Sequence, residues 1–169
     1  QDMLVGAGVA CTFSRRKGCA TTTKLRVLSR HQQLIRLDFE QPQSAVPAIG
    51  LADQVRTPLA GCNVLILSDY AKGGLPDPEA LIALARAQGI PILVDPKGGD
   101  FSRYRGATLL TPNLKELEAV TGPCETEQEL VSSANKLMSE LDLQALLVTR
   151  GEQGMTLLRP GLEELHMPA

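Results

Sequence analysis

Between Asn63 and Arg150, short apolar runs that end in polar residues alternate with stretches of helical periodicity. That rhythm limits the fold more than any other feature of the chain. "NVLILSD" (63–69), "IPILVD" (90–95), "ATLLT" (107–111) and "ALLVTR" (145–150) are short and apolar, and they read as strands buried on both faces. "DPEALIALARAQG" (77–89) sets Leu81, Leu84, Ala85 and Gln88 at helical intervals. Asp77 supplies an N-cap, Pro78 a first-turn residue and Gly89 a stop. Further helices are expected at 113–121 and 126–141, followed by a hairpin from 155–159 and 163–167. Strand, helix, strand at this spacing predicts an α/β fold with a mainly parallel sheet and helices on its faces. Upstream, "TTTKLRVLSR" (21–30) and "QLIRLDFE" (33–40) read as two neighbouring strands joined by a polar turn at Ser29-Arg30-His31-Gln32. Residues 44–60 are helical only in part, limited by Pro47 and Pro58, and residues 1–19 have too little periodicity to assign.

In sheets of this kind ligands sit beyond the carboxyl ends of the strands. Those ends carry Ser68 to Gly73, Asp95 to Gly98, Thr111 to Asn113 and Thr149 to Gly151. The spacing Asn113-x-x-Glu116 suits a capping box, in which each residue satisfies the other's backbone N–H. The same spacing suits a phosphate at a helix N-terminus, with a carboxylate holding hydrated Mg²⁺ against it. Its place at the ligand edge favours the second use. Gly151 and Gly154 either form an ordinary turn or let a flat ligand or phosphate approach the backbone. Asp69, Lys72, Asp95 and Lys97 are either loop ion pairs or a set matched to a phosphorylated, hydroxyl-rich ligand. Lys24, Arg26, Arg30 and Arg36 share a strand face if the turn at 29–32 keeps the register.

A chain of 169 residues that is 43% hydrophobic is long enough to bury a core, and length suggests one domain. The net charge of −2 argues against nucleic acid, and Arg15-Arg16-Lys17 reads as a solvated loop. No apolar run reaches a membrane-spanning length, and no secretory leader is present. The four cysteines have neither close pairing nor metal-ligand spacing, which fits reduced thiols in the cytoplasm. His31 and His166 read as isolated surface residues, and neither a nucleophile triad nor a P-loop is present. The chain begins at Gln1 and stops at Ala169 directly after the strand-like "EELHMP", so it is expected to be a piece of a longer protein.

Four stretches resemble the ribokinase (PfkB) family of sugar kinases: "TKLRVLSRHQQLIRLDFE" (23–40), "LSDYAKG" (67–73), "VDPKGGDFSRYRGATLLTPNLKELEAVTG" (94–122) and "ALLVTRGEQGMTLL" (145–158). Within that family they are most similar to kinase domains acting on D-glycero-β-D-manno-heptose 7-phosphate, which carry a second, adenylate-attaching domain on the route to lipopolysaccharide. The resemblance implies a ribokinase-like three-layer α/β/α sandwich, incomplete here, with lid strands near 21–40 and a nucleotide-binding part over 61–169. Residues 1–169 would form the central part of one kinase domain. The resemblance also implies ATP binding at Asn113, Leu114, Lys115 and Glu116, with Glu116 acting on Mg²⁺ through water. Thr149, Arg150, Gly151 and Gly154 would lie near the nucleotide. Lys24, Arg26, Asp69, Lys72, Asp95 and Lys97 would contact the phosphorylated sugar. The family's early Gly-Gly and Asp segment is expected before residue 1. Its G-A-G-D motif, with the catalytic Asp base, is expected beyond Ala169, so this chain holds no catalytic residue. Related kinases often pair through their lids, which implies a homodimer.

Overall fold

The computed structural model describes residues 2–13, 22–30, 32–39 and 50–169. It divides into two compact units, Gln1–Ser44 and Ala45–Ala169. Arg15-Arg16-Lys17, Cys19, His31 and Pro47 lie outside the described residues.

In the first unit, helix α1 (Asp2–Gly6) buries none of its residues. Strands β1 (Thr23–Ser29) and β2 (Gln32–Phe39) form a two-stranded antiparallel sheet around the expected turn. Lys24 lies opposite Asp38 and Arg26 opposite Arg36, so strand alternation gathers these four on one face. Arg36 Nε donates to Asp38 Oδ1 at 3.0 Å. The register shifts between Val27 and Leu28, and Arg30 sits in the turn with φ 55°. The expected basic row therefore holds for Lys24, Arg26 and Arg36 but loses Arg30. The opposite face carries Leu25, Val27, Ile35 and Leu37, all exposed.

The second unit is built on a six-stranded sheet whose order, β3-β4-β5-β6-β7-β8, repeats chain order. Its strands are β3 (Leu65–Ser68), β4 (Ile92–Asp95), β5 (Leu109–Leu110), β6 (Ala145–Thr149), β7 (Met155–Leu158) and β8 (Leu165–Met167). The first four pair in parallel, and β7 and β8 form the predicted antiparallel hairpin. The helices are α2 (Leu51–Leu59), α3 (Pro78–Ala87), α4 (Leu114–Thr121) and α5 (Glu127–Leu141). Pro58 falls in the last turn of α2, where the helix stops. The predicted cap of α3 is present: Asp77 Oδ1 accepts the Ala80 N–H at 3.0 Å. Thr126 and Glu129 form a capping box at the start of α5.

Parallel neighbours in chain order, joined by right-handed crossovers, carry α3, α4 and α5 over the same face of the sheet. Burial follows that rule. Leu67, Val94, Leu110, Leu146, Val148 and Leu158 are buried in one core with Ile82, Leu117, Leu130 and Met138 from the helices. Each such side chain stabilises by about 1.5–3 kcal/mol relative to exposure. The alternate residues Leu93, Leu109, Leu147 and Leu157 are only half buried. Ile66, on the edge strand β3, is 65% exposed. The expectation that 63–69 is buried on both faces is therefore corrected: among the described residues β3 has one neighbour and packs through Leu65 and Leu67. Among the described residues no helix is long and apolar enough to cross a membrane.

Candidate active site at the strand ends

The carboxyl ends of β3 to β6 are tied together by backbone contacts that continue past the strands. Asp69 N donates to Asp95 O at 3.0 Å, Thr111 N to Val94 O at 2.9 Å, and Thr149 N to Pro112 O at 3.0 Å. A bridge between Asn113 and Thr149 brings the two proposed nucleotide segments side by side.

α4 begins at this edge. Asn113 is extended (φ −80°, ψ 168°), which turns its side chain back over the helix N-terminus. Its Oδ1 accepts the Glu116 N–H at 3.0 Å, while Glu116 Oε2 accepts the Asn113 N–H at 3.0 Å. The capping box is thus fully formed, and it leaves Glu116 Oε1 for another partner. Lys97 Nζ takes that oxygen at 2.5 Å. This hydrogen bond, and then the Glu116 charge, raise the Lys97 pKa above its ordinary value. Leu114 packs against the core, whereas Lys115 is exposed.

Among the described residues no group of three or more His, Cys, Asp or Glu could hold a metal ion alone. One carboxylate beside a helix N-terminus, with two lysines at hand, instead fits Mg²⁺ that keeps its waters and arrives on phosphates.

Asp69 is placed differently from a ligand-facing acid. It is 4% exposed. Its Oδ1 accepts the Ala71 N–H at 2.7 Å, and its Oδ2 accepts the Tyr104 hydroxyl at 2.8 Å. An Arg103 Nη1 lies 3.7 Å away, and the other end of that guanidinium donates to Leu75 O at 2.7 Å. Burial, and next the Asp69 hydrogen bond, push the Tyr104 hydroxyl up to about 12. Tyr104 and Arg103 escaped the sequence reading. The available signal was scarcity: the chain has 2 Tyr and no Trp, and a buried tyrosine hydroxyl needs a partner. Asp95 and Lys72 are exposed at the edge.

Arg150 also turns inward. Its side chain is 12% exposed, and Nη1 donates to Glu127 Oε2 at 2.6 Å and to Thr156 Oγ1 at 3.1 Å. Its Nε is buried without a hydrogen-bond partner among the described residues. Thr156 Oγ1 also lies 3.2 Å from His166 Nδ1, so His166 is exposed but not isolated. Gly154 has φ +79°, and a Cβ there would strike the Met167 carbonyl and come within 2.7 Å of Pro168 C. Its glycine is required by the chain's own hairpin, while Gly151 looks onto open space. Lys24 and Arg26 belong to the first unit, on the β1 face described above.

The family model of the pfkB carbohydrate kinases matches residues 2–169. The chain belongs to that family. It is 60% identical over 163 residues to the bifunctional protein HldE of Hahella chejuensis, covering 96% of this chain and 34% of that protein. With the bifunctional protein HldE of Alcanivorax borkumensis it shares 57% over 169 residues, 100% of this chain and 36% of the relative. This pfkB-family chain thus spans about a third of the length of those relatives. Its fold is similar to that of Escherichia coli phosphofructokinase-2 in complex with potassium, with TM-score 0.75, 20% identity, and coverage of 99% of this chain and 56% of that one. It is also similar to Arabidopsis thaliana ribokinase complexed with ribose and ATP, with TM-score 0.66, 19% identity, and coverage of 82% and 45%.

Proposed function

We propose that this chain is part of a kinase that transfers the γ-phosphoryl group of ATP to the anomeric hydroxyl of D-glycero-β-D-manno-heptose 7-phosphate. The product is heptose 1,7-bisphosphate, used for ADP-heptose and lipopolysaccharide core synthesis in the cytoplasm. The observation that carries this reading is the 57–60% identity to bifunctional HldE proteins across almost the whole chain. The α4 N-terminus at the ligand edge supports it chemically.

In this reading Asn113, Leu114, Lys115 and Glu116 lie against the nucleotide phosphates, with backbone N–H groups and the helix dipole favouring the negative charge. Glu116 would hold Mg²⁺ through water, and the ion would supply positive charge against the phosphates during transfer. Thr149, Gly151 and Gly154 form the neighbouring turn, which Arg150 braces from inside. Asp95, Lys72 and Lys97 face the sugar phosphate. Asp69 fixes the loop that carries Lys72. The general base is assigned to chain beyond Ala169. Lys24 and Arg26 are assigned to binding the phosphorylated sugar, and the exposed Leu25, Val27, Ile35 and Leu37 support pairing of two such sheets in a homodimer.

Calorimetric titration with Mg²⁺·ATP, comparing the wild type with Glu116→Gln, tests the reading. Gln keeps an acceptor for the Asn113 N–H, so the cap survives while the charge is lost. Binding weakened at least about 10-fold, or about 1.4 kcal/mol, supports a nucleotide site. Equal binding by the two proteins reduces Asn113 and Glu116 to a helix cap. Competition among phosphorylated sugars then separates the heptose kinase from other members of the family.

A further inference from the structure

Both carboxylate oxygens of Glu116 are taken. Oε2 closes the capping box with Asn113, and Oε1 accepts Lys97 Nζ. The Glu116 side chain is only 14% exposed, which leaves little perimeter for a third partner. Under the kinase reading, on which this inference rests, the water shell of Mg²⁺ must reach the oxygen that the helix cap does not need. That oxygen is Oε1. An ammonium and a hydrated divalent cation compete for it, because their charges repel and a carboxylate only 14% exposed has little room for both.

Lys97 is placed to leave. Its side chain is 51% exposed, and Gly98, at φ +92°, follows it. Its carbonyl lies 3.5 Å from the buried Tyr104 hydroxyl, whose proton goes to Asp69, and the long side chain can swing out from that point. Once off Glu116, the ammonium stands at an edge it shares with the exposed Asp95, within reach of a substrate phosphate bound there.

We propose that Lys97 is an exchangeable counter-ion. It neutralises Glu116 in the ligand-free protein, Mg²⁺·nucleotide displaces it, and the freed ammonium then binds the phosphate of the sugar substrate. Mg²⁺·nucleotide therefore prepares the sugar-phosphate site, and bound sugar phosphate keeps Lys97 off Glu116. Each ligand tightens the other by the same factor, as linkage requires.

The test uses the full-length protein, wild type and Lys97→Met, which keeps the apolar stem. Calorimetry measures the magnesium complex of a non-hydrolysable ATP analogue with and without heptose 7-phosphate. In the wild type, heptose 7-phosphate should tighten analogue binding about 10-fold. In Lys97→Met that factor should fall to about 1, while the analogue alone binds at least as tightly as to wild type. Coupling that survives in Lys97→Met, or is absent from wild type, overturns the exchange and leaves the kinase reading standing. Weaker binding of the analogue alone to Lys97→Met also overturns it, because Lys97 would then hold the nucleotide directly. A wild type that binds no magnesium–nucleotide complex removes the kinase reading and this inference together.

Discussion

Replacing Tyr104 with Phe isolates a single hydrogen bond under the strand-end loops. The ring is fully buried, and its tilted contact with Phe101, centroids 6.1 Å apart, survives the change. Only the hydroxyl that donates to Asp69 Oδ2 at 2.8 Å is lost. What remains near Oδ2 is Arg103 at 3.7 Å, too far for a hydrogen bond. A hydrogen bond to a buried charged acceptor contributes about 1.5–3 kcal/mol, and the unpaired oxygen adds a desolvation cost. We expect Tyr104→Phe to lower stability by about 2 kcal/mol in urea at pH 7, with the slope unchanged. The pH dependence has a definite sign. The folded pKa, about 12, lies above the ordinary tyrosine value of 10.0. The stabilisation is therefore complete below pH 10 and is lost as pH rises through about 12. The gap between wild type and variant should shrink over that window. A cost below about 0.5 kcal/mol, the usual range for surface substitutions, would refute the reasoning. So would a gap that widens with alkali.

Asn113→Ala removes the acceptor for the Glu116 N–H and should cost about 1 kcal/mol by chemical denaturation. Gly154→Ala combines a left-handed backbone with a collision against residues 167–169. It should cost at least about 1–3 kcal/mol, and amide exchange should speed up in β7 and β8 before it does in β4. Unchanged exchange in the hairpin would show that the backbone gives way without strain.

The strands and helices from 63 onward were legible because caps and apolar runs are local signals. Asp77, Pro78 and Thr126 act where their residue types say they should. Which face of a strand is covered is a tertiary matter, and Ile66 shows the difference: its apolar neighbours suggest burial, yet an edge strand leaves it out. The same limit applies to the site. The positions of Asp69, Lys97 and Arg150 at strand ends followed from pattern, but their directions did not. Asp69 turns in because Tyr104, 35 residues away, offers a hydroxyl. Arg150 turns in because Glu127 and Thr156 receive it. Glu116 meets Lys97 across 19 residues of sequence. Apart from Thr156, each partner is distant in the chain, and spacing alone carries no record of it.

Strand order in the larger sheet repeats chain order from β3 to β8. From β4 to β8, each strand therefore pairs with the one made just before it. Closures are short from β6 to β7 and from β7 to β8 and lose little chain entropy there, whereas the parallel pairs close over longer crossovers and form more slowly. On a ribosome, where earlier segments emerge first, every strand from β4 to β8 would meet an edge already in place. Elongation can then build the sheet one strand at a time, with the growing edge always at the youngest strand.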